Sequence, residues 1–324
     1  MEVALGGRRL RAVRRFVLAV GPTAVLAVGL TAALAPSARA FEDFSGTRSL
    51  GMGEASRAWA IGDEGPLLNP SGMTLAKAYN IEAAYSYAGR LSDNFLHASI
   101  VDNTSSFNLA GGLYYTYHTA DRGGGVEAQG HEGGLALALP FGDVVSLGGT
   151  IKYLDLEGAD DIDGHGGGLT FDVGTTIRPL PMLSLGLVGA NLRDLDNSQA
   201  TRGIGYGAAW IPIPNLVVAL DGLTRLTADN QTGRKGTSVM AGGDFTFLAG
   251  KLGVRAGGGY DAVTGNGYAT VGFSAISEIG AFDAGLREDL TRSEVSPGVD
   301  RPRETVVGVS LRLFVPAEQT PPTP

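Results

Sequence analysis

Hydrophobic and polar residues alternate one by one beyond the N-terminal quarter of the chain. Leu169, Phe171 and Val173 fall on one face of a strand, and Thr170 and Asp172 fall on the other. Comparable alternation recurs in 144–155, 183–187 and 307–313. A period of two is typical of strands with one apolar and one polar face. The pattern therefore predicts a protein built mainly from β-strands.

Fourteen such strands are predicted between Tyr79 and Phe314, and short connections alternate with long ones along the chain. The short connections are turns, at Asp102-Asn103, Gly142-Asp143, Leu180-Pro181, Pro214, Ala249-Gly250 and Ser277-Glu278. The long ones are polar, at 119–131, 156–165, 191–201, 224–235 and 291–303. Barrels of the bacterial outer membrane have tight periplasmic turns and longer extracellular loops. A two-layer sandwich shows the same alternation, but it has no reason to place every long loop at one end. We therefore expect an all-β fold, a 14-stranded antiparallel transmembrane β-barrel, with the long loops facing outward from the cell.

Residues 1–40 have the features of a secretory signal peptide. A basic segment that ends at Arg15 is followed by an apolar stretch from Phe16 to Ala35 and by the sequence Ala38-Arg39-Ala40. An A-x-A site of this kind predicts cleavage near Ala40 and a mature chain that begins at Phe41. A retained membrane anchor is the alternative, because the apolar stretch is long. The predicted location is the bacterial outer membrane, with the barrel integral to it.

Composition and charge agree with this class of protein. The chain has no cysteine, so disulfides and thiolate metal sites are excluded. Beyond residue 40, no run approaches the roughly 20 apolar residues that a transmembrane helix needs. Removal of the signal peptide takes away six arginines and one glutamate, a net +5, and lowers the net charge from −8 to −13. An acidic chain without a basic patch argues against binding to nucleic acid.

Charged residues on the polar faces of the strands are predicted to line the barrel interior. They carry both signs, so we expect them to pair with one another or to contact a plug, and solute selection is the alternative. These lumen-facing charges are Glu82, Lys152, Asp172, Arg178, Asp244, Arg255, Asp283 and Arg312.

Residues 41–78 precede the first strand and have a different composition, with small residues and few alternations. Fourteen strands enclose a lumen wider than side chains alone can fill, since about eight strands already reach that limit. We therefore predict that 41–78 forms a plug, or hatch, inside a barrel formed by 79–314.

A motif in this segment resembles the N-terminal signature of the FadL-type outer-membrane transporter superfamily, which includes the PorV/PorQ-like barrels. The matching residues are Gly46-Thr47-Arg48-Ser49-Leu50-Gly51-Met52-Gly53-Glu54-Ala55, then Asp63, then Asn69-Pro70-Ser71-Gly72-Met73. The family pattern usually has glycine, alanine and leucine where this chain has Glu54, Ser71 and Met73. The resemblance implies a hatch whose Asn-Pro element moves to open a diffusion path.

The residues themselves allow both a movable and a static plug. Gly51 and Gly53 permit close approach to a barrel wall or turns with positive φ. Asn69 and Pro70 predict a rigid turn. These four residues and Asp63 are the hatch candidates, and a static plug or a turn that nucleates folding is the alternative. We expect Asp63 and Glu64 to pair with lumen cations such as Lys152, Arg178 or Arg255.

No catalytic or metal site is predicted, and no cofactor. The chain has four histidines, of which His131 and His165 lie in predicted loops; solvated loop histidines are the expected reading, and no serine or paired carboxylate has a recognisable catalytic setting. Asp160, Asp161 and Asp163 could offer oxygen ligands to calcium, but they lack the spacing and the terminal glutamate of an EF-hand loop. An acidic surface loop is the alternative there.

Two functions remain open. One is passive transport of a hydrophobic small molecule across the outer membrane, as the resemblance to FadL-type proteins implies. The other is a PorV/PorQ-like role, in which the barrel docks or assembles exported proteins. The expected partners are outer-membrane lipid, the barrel-assembly machinery and a hydrophobic small-molecule substrate. The assembly signal is expected in the last strand, which ends at Phe314, and 315–324 is expected to be a disordered periplasmic tail rich in proline.

Overall fold

The computed structural model confirms an antiparallel barrel closed by fourteen strands. It describes residues 44–89, 92–106, 108–121, 127–157, 165–195, 200–227, 235–291, 293–296, 299–301 and 303–315. The predicted signal peptide with its cleavage site, the acidic residues 160–163 and the tail beyond 315 lie outside the described residues. The barrel strands are β1 (Tyr79–Ala88), β2 (Asp93–Asp102), β3 (Ala110–Asp121), β4 (Glu127–Phe141), β5 (Val145–Glu157), β6 (His165–Leu180), β7 (Leu183–Ala190), β8 (Gly203–Ile213), β9 (Leu216–Arg225), β10 (Thr237–Phe247), β11 (Leu252–Asp261), β12 (Asn266–Ile276), β13 (Gly280–Asp289) and β16 (Thr305–Phe314). A small hairpin, β14 (Ser293–Ser296) and β15 (Val299–Arg301), lies in the connection between β13 and β16.

The first and last barrel strands close the sheet against each other. Strand β1 pairs with β16 from Asn80 opposite Phe314 to Ala88 opposite Val306. Every other barrel strand pairs with its neighbours in sequence, so no edge is left open. Because the strand number is even, the chain enters and leaves the barrel at the same end.

Side chains alternate between an apolar outer face and a polar inner face, as predicted. On β6, Leu169, Phe171 and Val173 are exposed on the outside, whereas Thr170 and Asp172 are almost completely buried inside. Leucine, isoleucine, valine and aromatic side chains form the same exposed face on the other strands. This outer face is typical of a barrel surrounded by lipid.

No helix among the described residues is long and apolar enough to span a lipid bilayer.

The five connections predicted to be long all lie at one end of the barrel. The predicted loop 119–131 was too long, however, because β3 continues to Asp121 and β4 begins at Glu127. Two connections at that end, 89–92 and 262–265, are short. The predicted loop 291–303 contains the β14–β15 hairpin. The strands extend further than expected because polar residues can continue a strand that no longer has to face lipid. At the other end, the turn predicted at Asp102-Asn103 was too short, because β2 ends at Asp102 and β3 begins only at Ala110.

Residues 44–78 lie inside the barrel and are mostly buried. They form two short α-helices, α1 (Thr47–Gly51) and α2 (Gly65–Leu68), and two 3-10 turns, 62–64 and 70–74. Helix α1 contacts β11, β12, β13 and β16, and the turn 70–74 contacts β3, β4, β5 and β6. The predicted plug is therefore present in the described residues, and we call 44–78 the plug.

The irregular backbone of the plug is bonded by side chains of the wall. Thr270 Oγ1 accepts from Gly53 N at 2.8 Å and donates to the carbonyl of Gly51 at 3.1 Å. Ser184 Oγ donates to the carbonyl of Ala58 at 2.7 Å. The hydroxyl of Tyr268 donates to the carbonyl of Gly53 at 3.1 Å. Buried backbone polar groups need such partners, since leaving them unpaired costs free energy.

Inward-facing glycines in the wall make room for the plug. At each of them, an added Cβ would lie within 3.0 Å of a plug atom. We call this set the glycine girdle: Gly112, Gly148, Gly174, Gly186, Gly205, Gly242, Gly257, Gly272, Gly285 and Gly308. Several members lie directly opposite one another on paired strands, namely Gly148 and Gly174, Gly242 and Gly257, and Gly272, Gly285 and Gly308. The girdle allows plug and wall to approach more closely than any side chain would permit.

Adjacent glycines on β5 give a matched test of the girdle. An added Cβ at Gly148 would lie 2.5 Å from Ser71 N and 2.6 Å from the carbonyl carbon of Pro70, whereas the nearest atom at Gly149 is 3.5 Å away. We expect Gly148→Ala to displace the plug and raise the ion conductance of single barrels in planar bilayers. Gly149→Ala should keep the low wild-type conductance. Equal conductance of the two variants would contradict the role of the girdle.

Candidate functional site: the plugged lumen

Seven charged side chains, three from the plug and four from the wall, form one connected circuit of ion pairs. In order they are Arg48, Asp244, Arg255, Asp283, Arg312, Asp63 and Glu64. The circuit closes on the plug, because Asp63 and Glu64 are neighbours in the chain and Glu64 lies 3.8 Å from Arg48. We call it the ion-pair circuit.

The contacts within the wall are the shortest part of the circuit. The Asp283 carboxylate accepts hydrogen bonds from Arg312 Nη2 at 2.6 Å and from Arg255 Nη1 at 3.1 Å. Arg255 Nε also donates to Asp244 at 3.0 Å, and Ser274 Oγ bonds to both Arg255 and Asp283. Breaking such a buried group by removing one partner is strongly destabilising, because a charge is left uncompensated.

Within the circuit, the plug contacts the wall at two points. Arg48 Nη2 lies 3.1 Å from Asp244, and Asp63 lies 3.9 Å from Arg312, which is also 3.9 Å from Glu82. Burial raises the pKa of the Asp63 carboxyl above its ordinary value, although the charge of Arg312 acts in the opposite direction. Burial likewise raises the pKa of Glu64, against the effect of Arg48.

The partners expected for Asp63 and Glu64 were wrong. Asp63 pairs with Arg312 and Glu64 with Arg48, rather than with Lys152, Arg178 or Arg255. The strand register decides this, because it places Asp283 and Asp244 beside Arg255, and those carboxylates satisfy it within the wall.

Four of the predicted lumen charges are not among the seven residues of the circuit: Glu82, which lies 3.9 Å from Arg312, and Lys152, Asp172 and Arg178. Lys152 Nζ lies 2.8 Å from Asp172 on the neighbouring strand β6. Arg178 is half-buried beside the turn after β6, where its Nη2 donates to the carbonyl of Pro181 at 2.9 Å. The pairing of β6 with β7 is irregular between Ile177 and Leu180, and so Arg178 does not join the buried charges.

The Asn-Pro turn is fixed to the opposite side of the wall by neutral hydrogen bonds. Asn69 Nδ2 donates to the carbonyl of Arg57 at 2.9 Å, and Ser71 Oγ donates to Asn69 Oδ1 at 2.7 Å. Ser71 Oγ also lies 2.7 Å from Thr176 Oγ1 on β6, and Thr74 Oγ1 donates to Ser146 Oγ at 2.6 Å. Pro70 packs where Gly148 and Gly174 leave space.

A cavity of about 190 Å3 lies between the plug and the barrel end that carries the long loops. Plug residues that line it include Phe44, Glu54, Arg57 and Leu68. The wall residues lie near the outer ends of their strands, and they include Arg225 at the end of β9. We call this cavity the chamber.

Several charged residues near the chamber were not predicted. Arg287 lies 3.1 Å from Glu54 and 4.1 Å from the centre of the Tyr268 ring, and Arg57 lies 3.5 Å from Asp221. Arg287 and Asp221 share the inward face of their strands, so counting the alternation on β9 and β13 would have found both. Glu54 and Arg57 had no such signal, because the plug has no regular period.

The histidines do not all lie in loops. His97 is buried on the inner face of β2, where its Nδ1 lies 2.8 Å from Thr116 Oγ1. His118 lies in β3 and lines the chamber. His131 lies in β4, 2.6 Å from the Tyr115 hydroxyl, because the strand begins earlier than expected. His165 begins β6.

Solved outer-membrane channels share this fold. CymD, described as a monoaromatic hydrocarbon channel, is 13% identical with a TM-score of 0.58, and the match covers 83% of this chain and 99% of CymD. The toluene transporter TodX of P. putida is 11% identical with a TM-score of 0.60, covering 82% and 98%. A FadL homologue of Pseudomonas aeruginosa is 14% identical with a TM-score of 0.55, covering 83% and 97%.

These comparisons establish the class of fold. No protein-family model and no curated protein sequence matches the chain. The three solved structures are described as a monoaromatic hydrocarbon channel, a toluene transporter and a FadL homologue. The chain has the fold of the FadL-type outer-membrane channels, and the resemblance seen in the N-terminal motif is confirmed at that level.

Two arginines predicted for the lumen test the ion-pair circuit. We expect Arg312→Met to lower the free energy of unfolding by about 3–5 kcal/mol, because Asp283 loses its closest partner in a buried site. Arg178→Met should change it by less than about 1 kcal/mol, since among the described residues that side chain donates to a turn carbonyl at the barrel end rather than to a buried carboxylate. Urea titration of the protein folded in lipid vesicles measures both. Similar losses in the two variants would show that the ion-pair circuit contributes no more to the free energy of unfolding than the single hydrogen bond of Arg178.

Proposed function

We propose that this protein conducts a hydrophobic small molecule passively across the outer membrane, with the plug as its gate. The observation that carries this proposal is the chamber, which lies between the long loops and the plug. A molecule that enters from the outside reaches the chamber first and meets the plug beneath it. The likeness to CymD, a monoaromatic hydrocarbon channel, and to TodX, a toluene transporter, supports the same proposal.

The two halves of the plug are held by different kinds of interaction, and this difference suggests which half moves. Residues 48–64 are tied to the wall through the ion-pair circuit. In the turn 70–74, Ser71 and Thr74 contact the wall through hydrogen bonds between neutral hydroxyls. A neutral hydrogen bond contributes about 0.5–1.5 kcal/mol, whereas breaking a buried ion pair costs about 3–5 kcal/mol. We infer that the Asn69-Pro70 turn swings away from β5 and β6 while the first half of the plug stays in place.

An engineered disulfide tests whether this turn must move. The chain has no cysteine of its own, so the double variant Ser71→Cys/Thr176→Cys replaces two hydroxyls 2.7 Å apart and can tie the turn to β6. We expect the oxidised variant to lose most protein-dependent uptake of radiolabelled toluene by intact Gram-negative cells, and a reductant to restore it. Heat-modifiable gel mobility confirms that each variant has assembled.

A second pair of threonines provides the matched control. Thr224 Oγ1 and Thr237 Oγ1 lie 2.9 Å apart on the adjacent strands β9 and β10, away from the plug. The variant Thr224→Cys/Thr237→Cys should take up toluene at the wild-type rate in both redox states. If the locked turn conducts normally, the route does not pass the Asn69-Pro70 turn. If wild type takes up no more toluene than cells without the protein, the transport proposal itself is wrong for this probe.

The docking role in protein secretion stays an untested prediction. It would gain support if an exported protein co-purified with the barrel from native membranes.

A further inference from the structure

The chamber has two chemically different sides. One side carries aromatic side chains, although Glu132 and Lys152 also line it: the rings of Phe44 and Phe95 are stacked with their centres 6.2 Å apart, and the centres of Phe95 and His118 are 5.7 Å apart. Leu68 and Leu154 continue this side. Aromatic rings pack well on such a surface in offset or tilted arrangements.

The other side is charged. Glu54 of the plug lies 3.1 Å from Arg287, and both line the chamber. Asp261 also lines it and accepts hydrogen bonds from Ser238 Oγ and Val263 N, both at 2.9 Å. The two sides meet at Glu54, because this residue lines a smaller adjoining pocket together with Phe44 and Phe95.

Size and polarity together restrict what can fill the chamber. Its volume of about 190 Å3 is close to that of an apolar cavity of about 150 Å3 that binds benzene, and it is too small to enclose a long acyl chain. A pure hydrocarbon would also press against Glu54 and Arg287 and displace water from them without replacing its hydrogen bonds. That loss weakens binding.

We propose that the chamber selects single-ring aromatic molecules that carry one hydrogen-bonding substituent, such as an aromatic alcohol. The ring lies on Phe44 and Phe95, and the substituent bonds to the Glu54–Arg287 pair. This inference rests on the proposed function, since it names the substrate class of the same site. It differs from a channel for bare hydrocarbons in requiring the polar group.

Two probes of equal size decide between these alternatives. Benzyl alcohol and ethylbenzene differ in a hydroxyl against a methyl group. Each competes with 4-fluorobenzyl alcohol for binding to the full-length protein in nanodiscs. Fluorine NMR follows the displacement of the fluorinated probe at matched aqueous concentrations of the two competitors. Empty nanodiscs are the blank. We expect benzyl alcohol to compete about tenfold better than ethylbenzene, which is the effect of one hydrogen bond to a charged group. Decanoate should not compete.

Two variants assign the preference to the two sides. Glu54→Gln should bring the ratio down to about twofold or less. Phe95→Leu should weaken both probes and keep the ratio. An ethylbenzene affinity equal to or above that of benzyl alcohol in wild type, or no protein-specific binding of the fluorinated probe, would overturn the proposal.

Uptake by cells separates this inference from the transport function. If the protein raises uptake of toluene but the binding preference is absent, transport stands and the substrate class is wrong. If the preference is present but no probe enters cells faster, the selective chamber stands and the transport role fails.

Discussion

The close contact between the plug backbone and the glycine girdle is the constraint on which the rest of this structure depends. A barrel of fourteen strands is too wide for its own side chains to fill. The plug fills it only because the wall lacks side chains where the plug backbone passes, at Gly148, Gly186 and Gly257 among others. Since the girdle glycines face one another on paired strands, the contact extends over many neighbouring strands at once.

Close packing brings polar groups of the plug out of water, and the wall supplies their partners. Thr270, Ser184 and Tyr268 bond to backbone groups of the plug, and the ion-pair circuit neutralises its charges. The ion-pair circuit connects one half of the plug to the wall. Hydrogen bonds between hydroxyl groups hold the Asn69-Pro70 turn instead. Under the proposed function, a plug anchored in this uneven way releases one part while the other keeps the barrel filled. The chamber lies directly beside that plug, so under the proposed function a molecule is recognised next to the gate.

Much of this could be read from the chain. The period-two alternation determined the all-β fold, the strand number and the inner and outer faces, because every second side chain of a barrel strand must face lipid. The composition of 41–78, with small residues and few alternations, and its Gly-rich motif indicated a plug. Loop lengths indicated which end carries the long connections, although the ends of β3 and β4 were misplaced because polar strand residues resemble loop residues.

The tertiary structure decided which residues meet. Arg48 and Asp244 are 196 positions apart, and Arg287 and Glu54 are 233 apart, so no local pattern connects them. Register and barrel closure place Asp283 between Arg255 and Arg312, which left Asp63 to pair with Arg312 and excluded the partners expected from charge alone. The sequence by itself determined which side chains point inward, since that follows from the strand period. Only the closed barrel decided their partners, because those depend on the plug's path through the lumen.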